Sequence, residues 1–65
     1  MKNRITEILA KKGKSKGWLA RVTGISRPYI TRVSKGEVTP TLYTAFKIRH
    51  VLGCLVEEIW PDEEE

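Results

Sequence analysis

The chain has 65 residues and a single cysteine, which allows one small domain near the lower size at which a core stands without staples and excludes an internal disulfide or a cysteine-built metal cluster. Its net charge of +4 is unevenly placed: residues 1–35 hold ten Lys or Arg and one acid, a net +9, whereas residues 36–65 hold two bases and seven acids, a net −5. The basic first half is either a solvated, lysine-rich surface or the kind of charge that a phosphate-binding face requires. The basic start, Met1-Lys2-Asn3-Arg4, leads into an amphipathic pattern rather than a signal peptide, and no apolar run is long enough to span a membrane. A cytoplasmic protein without cofactor, metal or small-molecule ligand is expected.

Taken in order, Asn3 can cap a first helix over about residues 4–12, with Ile5, Ile8 and Leu9 as its buried stripe and Gly13 as its end. Ser15 caps a second helix over about residues 16–23. It carries Leu19 and the small Ala20, which lets a neighbouring helix approach closely. Gly24 supplies the positive φ that stops this helix and redirects the chain. Ile25 plugs the turn, and a third helix opens after Ser26 with Ile30 and Val33 one i, i+3 step apart. A short helix, a glycine-bearing turn and a second helix make a helix-turn-helix over residues 16–35.

The third helix is the one expected to read a sequence. Pro28 has no N–H, so the Ser26 hydroxyl should accept from the N–H of Tyr29 instead. With Ile30 and Val33 inward, Pro28, Arg32 and Lys35 point outward and Arg27, Tyr29 and Thr31 flank them. Such a face enters the major groove with its N-terminal residues first. Arg27 and Arg32 can each fork onto guanine O6 and N7, or else clamp the backbone. Pro28 and Thr31 can touch a thymine methyl, while Tyr29 and Lys35 suit sugar or phosphate. Trp18 is either an indole lying over the edge of the core or a donor to a phosphate at the groove edge.

After a loop from Gly36 to Pro40, Thr41 should cap a fourth helix, Leu42 to about Leu52, with Leu42, Ala45, Phe46, Ile48 and Leu52 in the core. His50 reads as a surface side chain, because no partner near it makes a site. Gly53 ends this helix. Cys54 reads as a small core hydrophobe, since no basic or redox partner flanks it. A fifth helix follows Leu55, which is a weak start, and Pro61 stops it. Val56, Ile59 and Trp60 form its apolar stripe. Core packing accounts for these three, yet in so short a chain Leu55, Ile59 and Trp60 are also the best candidates for a dimer interface. Residues 1–61 are thus expected to form the domain, and Asp62 to Glu65 an acidic, solubilising tail.

The order and spacing of Ala20, Gly24, Ile25, Ile30 and Val33 resemble the helix-turn-helix of the lambda repressor and Cro-like family, also called the XRE family. Val33-Ser34-Lys35-Gly36 and Thr39-Pro40-Thr41-Leu42 are similar to that family's next segment, and Val56-Glu57-Glu58-Ile59-Trp60 to its last helix, so the resemblance covers nearly the whole chain. It implies an all-α bundle of about five short helices that binds an operator in double-stranded DNA as a homodimer. It also implies that the loop and the start of the fourth helix lie along the phosphates, making Thr39, Thr41 and Tyr43 candidate backbone donors. Where Lys16 stands, the family often has a Gln that reaches the DNA. Lys16 can grip a phosphate without an amide's two-sided hydrogen bonds. Where Pro28 stands, the family often has Gln or a similar amide, so direct adenine reading there is lost, and Arg49 replaces a residue usually kept small.

The leading expectation is a sequence-specific DNA-binding transcriptional regulator of the small Cro-like repressor kind, with no effector domain after the motif. The competing one is a protein-interaction module on the same fold, an antitoxin or antirepressor partner, working through its apolar C-terminal stripe and acidic tail. No paired acid–base set, partnered nucleophile, metal spacing or phosphate loop points to an enzyme.

Overall fold

Capping chemistry divides the chain into α1 (Ile5–Lys12), α2 (Lys16–Thr23), α3 (Arg27–Ser34), α4 (Leu42–Leu52) and α5 (Val56–Ile59). These come from a computed structural model that describes residues 2–61. Three hydroxyl caps sit where the sequence places them. The Ser15 Oγ accepts from the Trp18 N–H at 3.1 Å and the Thr41 Oγ1 from the Thr44 N–H at 3.2 Å. The Ser26 Oγ accepts from the Tyr29 N–H at 3.3 Å, as the missing N–H of Pro28 requires. Gly13, Gly24 and Gly53 close α1, α2 and α4. The acidic tail, residues 62–65, lies outside the described residues.

The first helix starts one residue later than expected. Arg4 holds the cap position without a side-chain bond. Asn3, just outside it, accepts from the Ile5 N–H at 3.0 Å through Oδ1 and donates through Nδ2 to the Val33 carbonyl at 2.7 Å. The Arg4 N–H in turn donates to the Ile59 carbonyl at 2.8 Å. Two adjacent residues thus tie α1 to the end of α3 and to α5, three elements far apart in sequence.

The core takes Ile5 and Leu9 from α1, Leu19 from α2, Ile30 and Val33 from α3, Ala45, Ile48 and Leu52 from α4, and Ile59 with Trp60 at the chain's end. α2 packs on both α3 and α4, and α4 on α5. The radius of gyration, 10.8 Å, is what a compact chain of this length adopts, about 11 Å.

Two residues expected in the core are outside it: Leu42 is 70% exposed and Phe46 50%. Ala45, Ile48 and Leu52 set the inward direction of α4. At about 100° per residue, Leu42 and Phe46 stand roughly 60° and 100° round from Ala45, on the side away from Ile48. Arg49, at a position the family keeps small, fits by turning its guanidinium along the helix end, where its Nε donates to the Cys54 carbonyl at 3.0 Å. Cys54 is half-buried and packs against the core. Helix α5 is a single turn. Leucine offers no capping oxygen, and the bond that starts the turn runs from the Leu55 N–H to the Glu58 Oε1 at 2.7 Å.

Asn3→Ala should cost about 1–3 kcal/mol in urea denaturation, because it removes two hydrogen bonds worth about 0.5–1.5 kcal/mol each, to the Ile5 N–H and to the Val33 carbonyl, which keeps only the Gly36 N–H. Asn3→Asp retains the acceptor for Ile5 but not the donor for Val33, and should recover only part of that loss. A wild-type midpoint for Asn3→Ala would show that the α1–α3 tie is dispensable.

Candidate nucleic-acid interface

The turn from α2 to α3 is Gly24, Ile25 and Ser26. Gly24 adopts φ 73° and its N–H donates to the Ala20 carbonyl at 2.9 Å. A Cβ there would meet only the Lys47 Nζ, at 4.0 Å, so glycine is required by the backbone conformation rather than by space. Thr23, which the sequence presents only as a helix end, organises the turn. Its buried hydroxyl donates to the Leu19 carbonyl at 2.7 Å and accepts from the Ile25 N–H at 3.3 Å. The signal was available in principle: a threonine just before a terminating glycine can close the helix through its own hydroxyl.

Full burial of Ile30 and Val33 fixes the rotation of α3. Arg27, Pro28, Arg32 and Lys35 are left exposed, with Tyr29 and Thr31 half-buried beside them. The four candidate base readers, Arg27, Pro28, Thr31 and Arg32, therefore share one outward side. Tyr29 packs partly against the core.

The starts of α2 and α3 are brought together by Arg27. Its guanidinium Nη1 lies 3.7 Å from where a Gly17 side chain would begin, so Gly17 makes the surface on which Arg27 rests. Lys16 and Trp18 flank that glycine. The Trp18 ring packs against the core and carries the Lys14 ammonium 5.2 Å from its centroid. No acid occupies the first turn of α2, α3 or α4, whereas α1 has Glu7 and α5 has Glu57 and Glu58 there. The partial positive charge of those three helix starts is thus left uncompensated by a carboxylate.

At the other end of α3, exposed Lys35 lines a shallow depression with Lys2, Asn3, Ser34 and Gly36. Lys2 is a cation the motif reading did not assign; only the basic start of the chain hinted at it. Thr39, Thr41 and Tyr43 are all exposed. The Thr41 hydroxyl, besides capping α4, donates to the Thr44 Oγ1 at 3.1 Å, and Lys47 lies over the Tyr43 ring at 5.3 Å.

The proposed dimer residues do not stay together. Ile59 is fully buried and Trp60 is 6% exposed, so neither has surface left for a second subunit, while Leu55 is 52% exposed. In so small a chain the last turn is needed to close the core, and its apolar stripe is consumed there. The Trp60 Nε1 is buried with no hydrogen-bond partner among the described residues. Among those residues no His, Cys, Asp and Glu cluster could hold a metal, and no helix is long and apolar enough to cross a membrane.

A helix-turn-helix family model matches residues 5–59. An Archaeoglobus fulgidus protein named as an uncharacterised HTH-type transcriptional regulator is 38% identical over 98% of this chain and 94% of its own length. Bacillus subtilis YgzD, named in the same way, is 32% identical over 100% of this chain and 98% of its own. A crystal structure of a candidate DNA-binding protein from Bacteroides fragilis superposes with a TM-score of 0.79 at 29% identity, covering 89% of this chain and 94% of that one.

Thr23→Val keeps the shape and removes the hydroxyl, leaving the Ile25 N–H without its acceptor. Thermal or urea unfolding should show a loss of about 1–3 kcal/mol. An unchanged midpoint would mean that the turn is held by Gly24 and the Ile25 packing alone.

Proposed function

Because the chain belongs to the XRE-type helix-turn-helix family, we propose that it is a sequence-specific, double-stranded-DNA-binding transcriptional regulator, a small Cro-like repressor acting in the cytoplasm on an operator bound by two copies. The observation that carries this reading is the outward side of α3. Four exposed side chains free of acids stand opposite two fully buried ones, on the half of the chain with a net charge of +9. Residues 1–61 act as the DNA-binding domain, with residues 62–65 as an acidic tail. An interaction module working through an apolar C-terminal stripe is disfavoured, since Ile59 and Trp60 are in the core.

In this reading α3 lies in the major groove. Arg32, one turn beyond Pro28, reaches a guanine edge with two charge-assisted hydrogen bonds. Arg27 reads guanine or, resting against Gly17 at the start of α2, grips the adjacent backbone. Pro28 and Thr31 meet thymine methyl groups. Lys16, Trp18, Tyr29, Lys35, Thr39, Thr41 and Tyr43 hold phosphates and sugars around the groove, fixing register without reading bases. Thr41 does so only by giving up its bond to Thr44.

Selection of bound sites from random duplex DNA gives the operator. On that operator, Arg32→Ala should cost about 1–3 kcal/mol and relax specificity at one position per half-site, with a much smaller loss on scrambled DNA. Lys35→Ala should weaken both duplexes about equally and lower the salt slope by about one unit. Equal losses on the two duplexes for Arg32→Ala would make Arg32 a backbone clamp.

With about 6–10 phosphate contacts per complex, affinity should fall about a thousandfold or more between about 50 and 200 mM salt. A nearly flat response in fluorescence titrations would remove the basic half from the interface, and failure to select any site would end the proposed function.

A further inference from the structure

Lys2 lies outside the helix-turn-helix, yet the fold sets it beside the end of α3. Lys2 and Lys35, both exposed, line one shallow depression of about 280 Å³ with Asn3, Ser34 and Gly36. None of these five residues carries a carboxylate, and Glu37, the nearest acid in sequence, does not line it. On its other side Lys2 borders a depression lined also by Arg4, Glu7 and Pro61, where the Arg4 cation offsets the single acid. The position is held. Asn3 donates to the Val33 carbonyl at 2.7 Å and accepts from the Ile5 N–H at 3.0 Å. The Lys2 Cα is one peptide, about 3.8 Å, from that anchored neighbour. Lys2 is thereby seated on the end of α3 by a bond that crosses thirty positions.

The floor of the depression decides what it can bind. The last carbonyls of a helix carry a partial negative charge that disfavours anions, but these are occupied. The Thr31 carbonyl accepts from the Lys35 N–H at 3.0 Å and the Ser34 Oγ at 2.9 Å. The Arg32 carbonyl accepts from the Glu37 N–H at 3.0 Å, and that of Val33 from the Gly36 N–H at 3.0 Å and from Asn3. The Lys35 and Gly36 N–H groups and the Ser34 hydroxyl are spent in those bonds, so an arriving anion is held chiefly by the two ammonium groups. An ammonium is a point charge that grips phosphate, without the planar fork that a guanidinium offers to a base edge. The matching ligand is a phosphodiester rather than a base. Length agrees with that. From Arg27 to Lys35 the helix rises about 12 Å, the width of the major groove at ~12 Å. With the first turn of α3 among the base edges, its last turn is level with the backbone that borders the groove.

We propose that Lys2 and Lys35 form a two-cation site for neighbouring phosphates of one DNA strand, on which the last turn of α3 is seated. This rests on the regulator reading above and adds to it a contact from outside the helix-turn-helix. A strand carries one charge per about 3.4 Å of helix axis, so a mouth edged by two lysine chains meets more than one phosphate. In free protein the two ammonium groups repel each other. Settling on phosphates removes that repulsion and releases the counterions of the DNA, which makes the contact salt-dependent.

Fluorescence titration of the full chain with selected operator and with scrambled duplex, at about 50 and 200 mM salt, tests the site by its counterion release. Each lost phosphate contact takes about 0.9 from the salt slope, so affinity falls about threefold less over that range. Lys2→Ala should show this change equally on both duplexes, and Lys2→Arg should behave as the wild type. Combining Lys2→Ala with Lys35→Ala should make the fall about tenfold smaller. Lys11→Ala, at an exposed site on α1 in a depression shared with Glu7 and Glu58, should leave the slope unchanged. Lys2 is exposed, so Lys2→Ala should keep the wild-type urea midpoint, which separates binding from folding. A steep wild-type slope that Lys2→Ala does not alter would overturn the inference and leave the regulator reading standing. So would a double variant no different from Lys35→Ala, or a Lys11→Ala effect as large as that of Lys2→Ala. A Lys2→Ala loss confined to the operator would make Lys2 a base reader and overturn it as well. A wild type that binds no duplex at either salt would sink the regulator reading, and this contact with it.

Discussion

Burial of Ile30 and Val33 is the constraint on which the rest depends. These two residues give α3 its only apolar stripe, and they fit the core at one rotation of the helix. That rotation alone decides that Arg27, Pro28, Arg32 and Lys35 face outward together. The turn before α3 serves the same end. Thr23, Gly24 and Ile25 fix the angle at which α3 leaves α2 through two hydrogen bonds and one positive φ. Tight packing makes this setting discrete, because a close-packed protein interior does not tolerate a helix rotated by a fraction of a turn.

Around that helix, electrostatics and fold agree. The acids of the first half are reduced to Glu7, at the start of α1. Acids at the starts of helices recur only in α5, where they compensate a turn with no capping oxygen. The starts of α2, α3 and α4 carry none. The Arg27 side chain joins two of those starts by lying against Gly17, a contact for which absence of a side chain leaves room.

A small chain cannot bury all its apolar residues, and the distribution of the remainder is informative. The last turn is drawn fully into the core: Ile59 and Trp60 close it, and Arg4 holds it by a backbone bond to Ile59. Helix α4 instead presents Leu42, Tyr43 and Phe46 outward. An apolar stripe at the end of the chain and one on α4 looked alike in sequence. Only one of them was left uncovered.

Sequence by itself determined the local elements, because the forces that make them act within a few residues. Ser15, Ser26 and Thr41 cap the next helix, Gly24 stops the previous one, and the absent N–H of Pro28 redirects the Ser26 bond to Tyr29. The outward set on α3 was equally legible, since the period of Ile30 and Val33 already states which side is wet. What only the tertiary structure decided rests on residues distant in the chain. Asn3 reaches Val33 across thirty positions, Lys2 comes beside Lys35, and Arg27 lies on Gly17. Leu42 and Phe46 have the composition of core residues and lose that place because α4 turns Ala45, Ile48 and Leu52 inward, while Ile59 and Trp60 take the space in the core. Hydrophobicity marks which side chains seek burial, but the limited interior is shared out by the packing of all five helices at once.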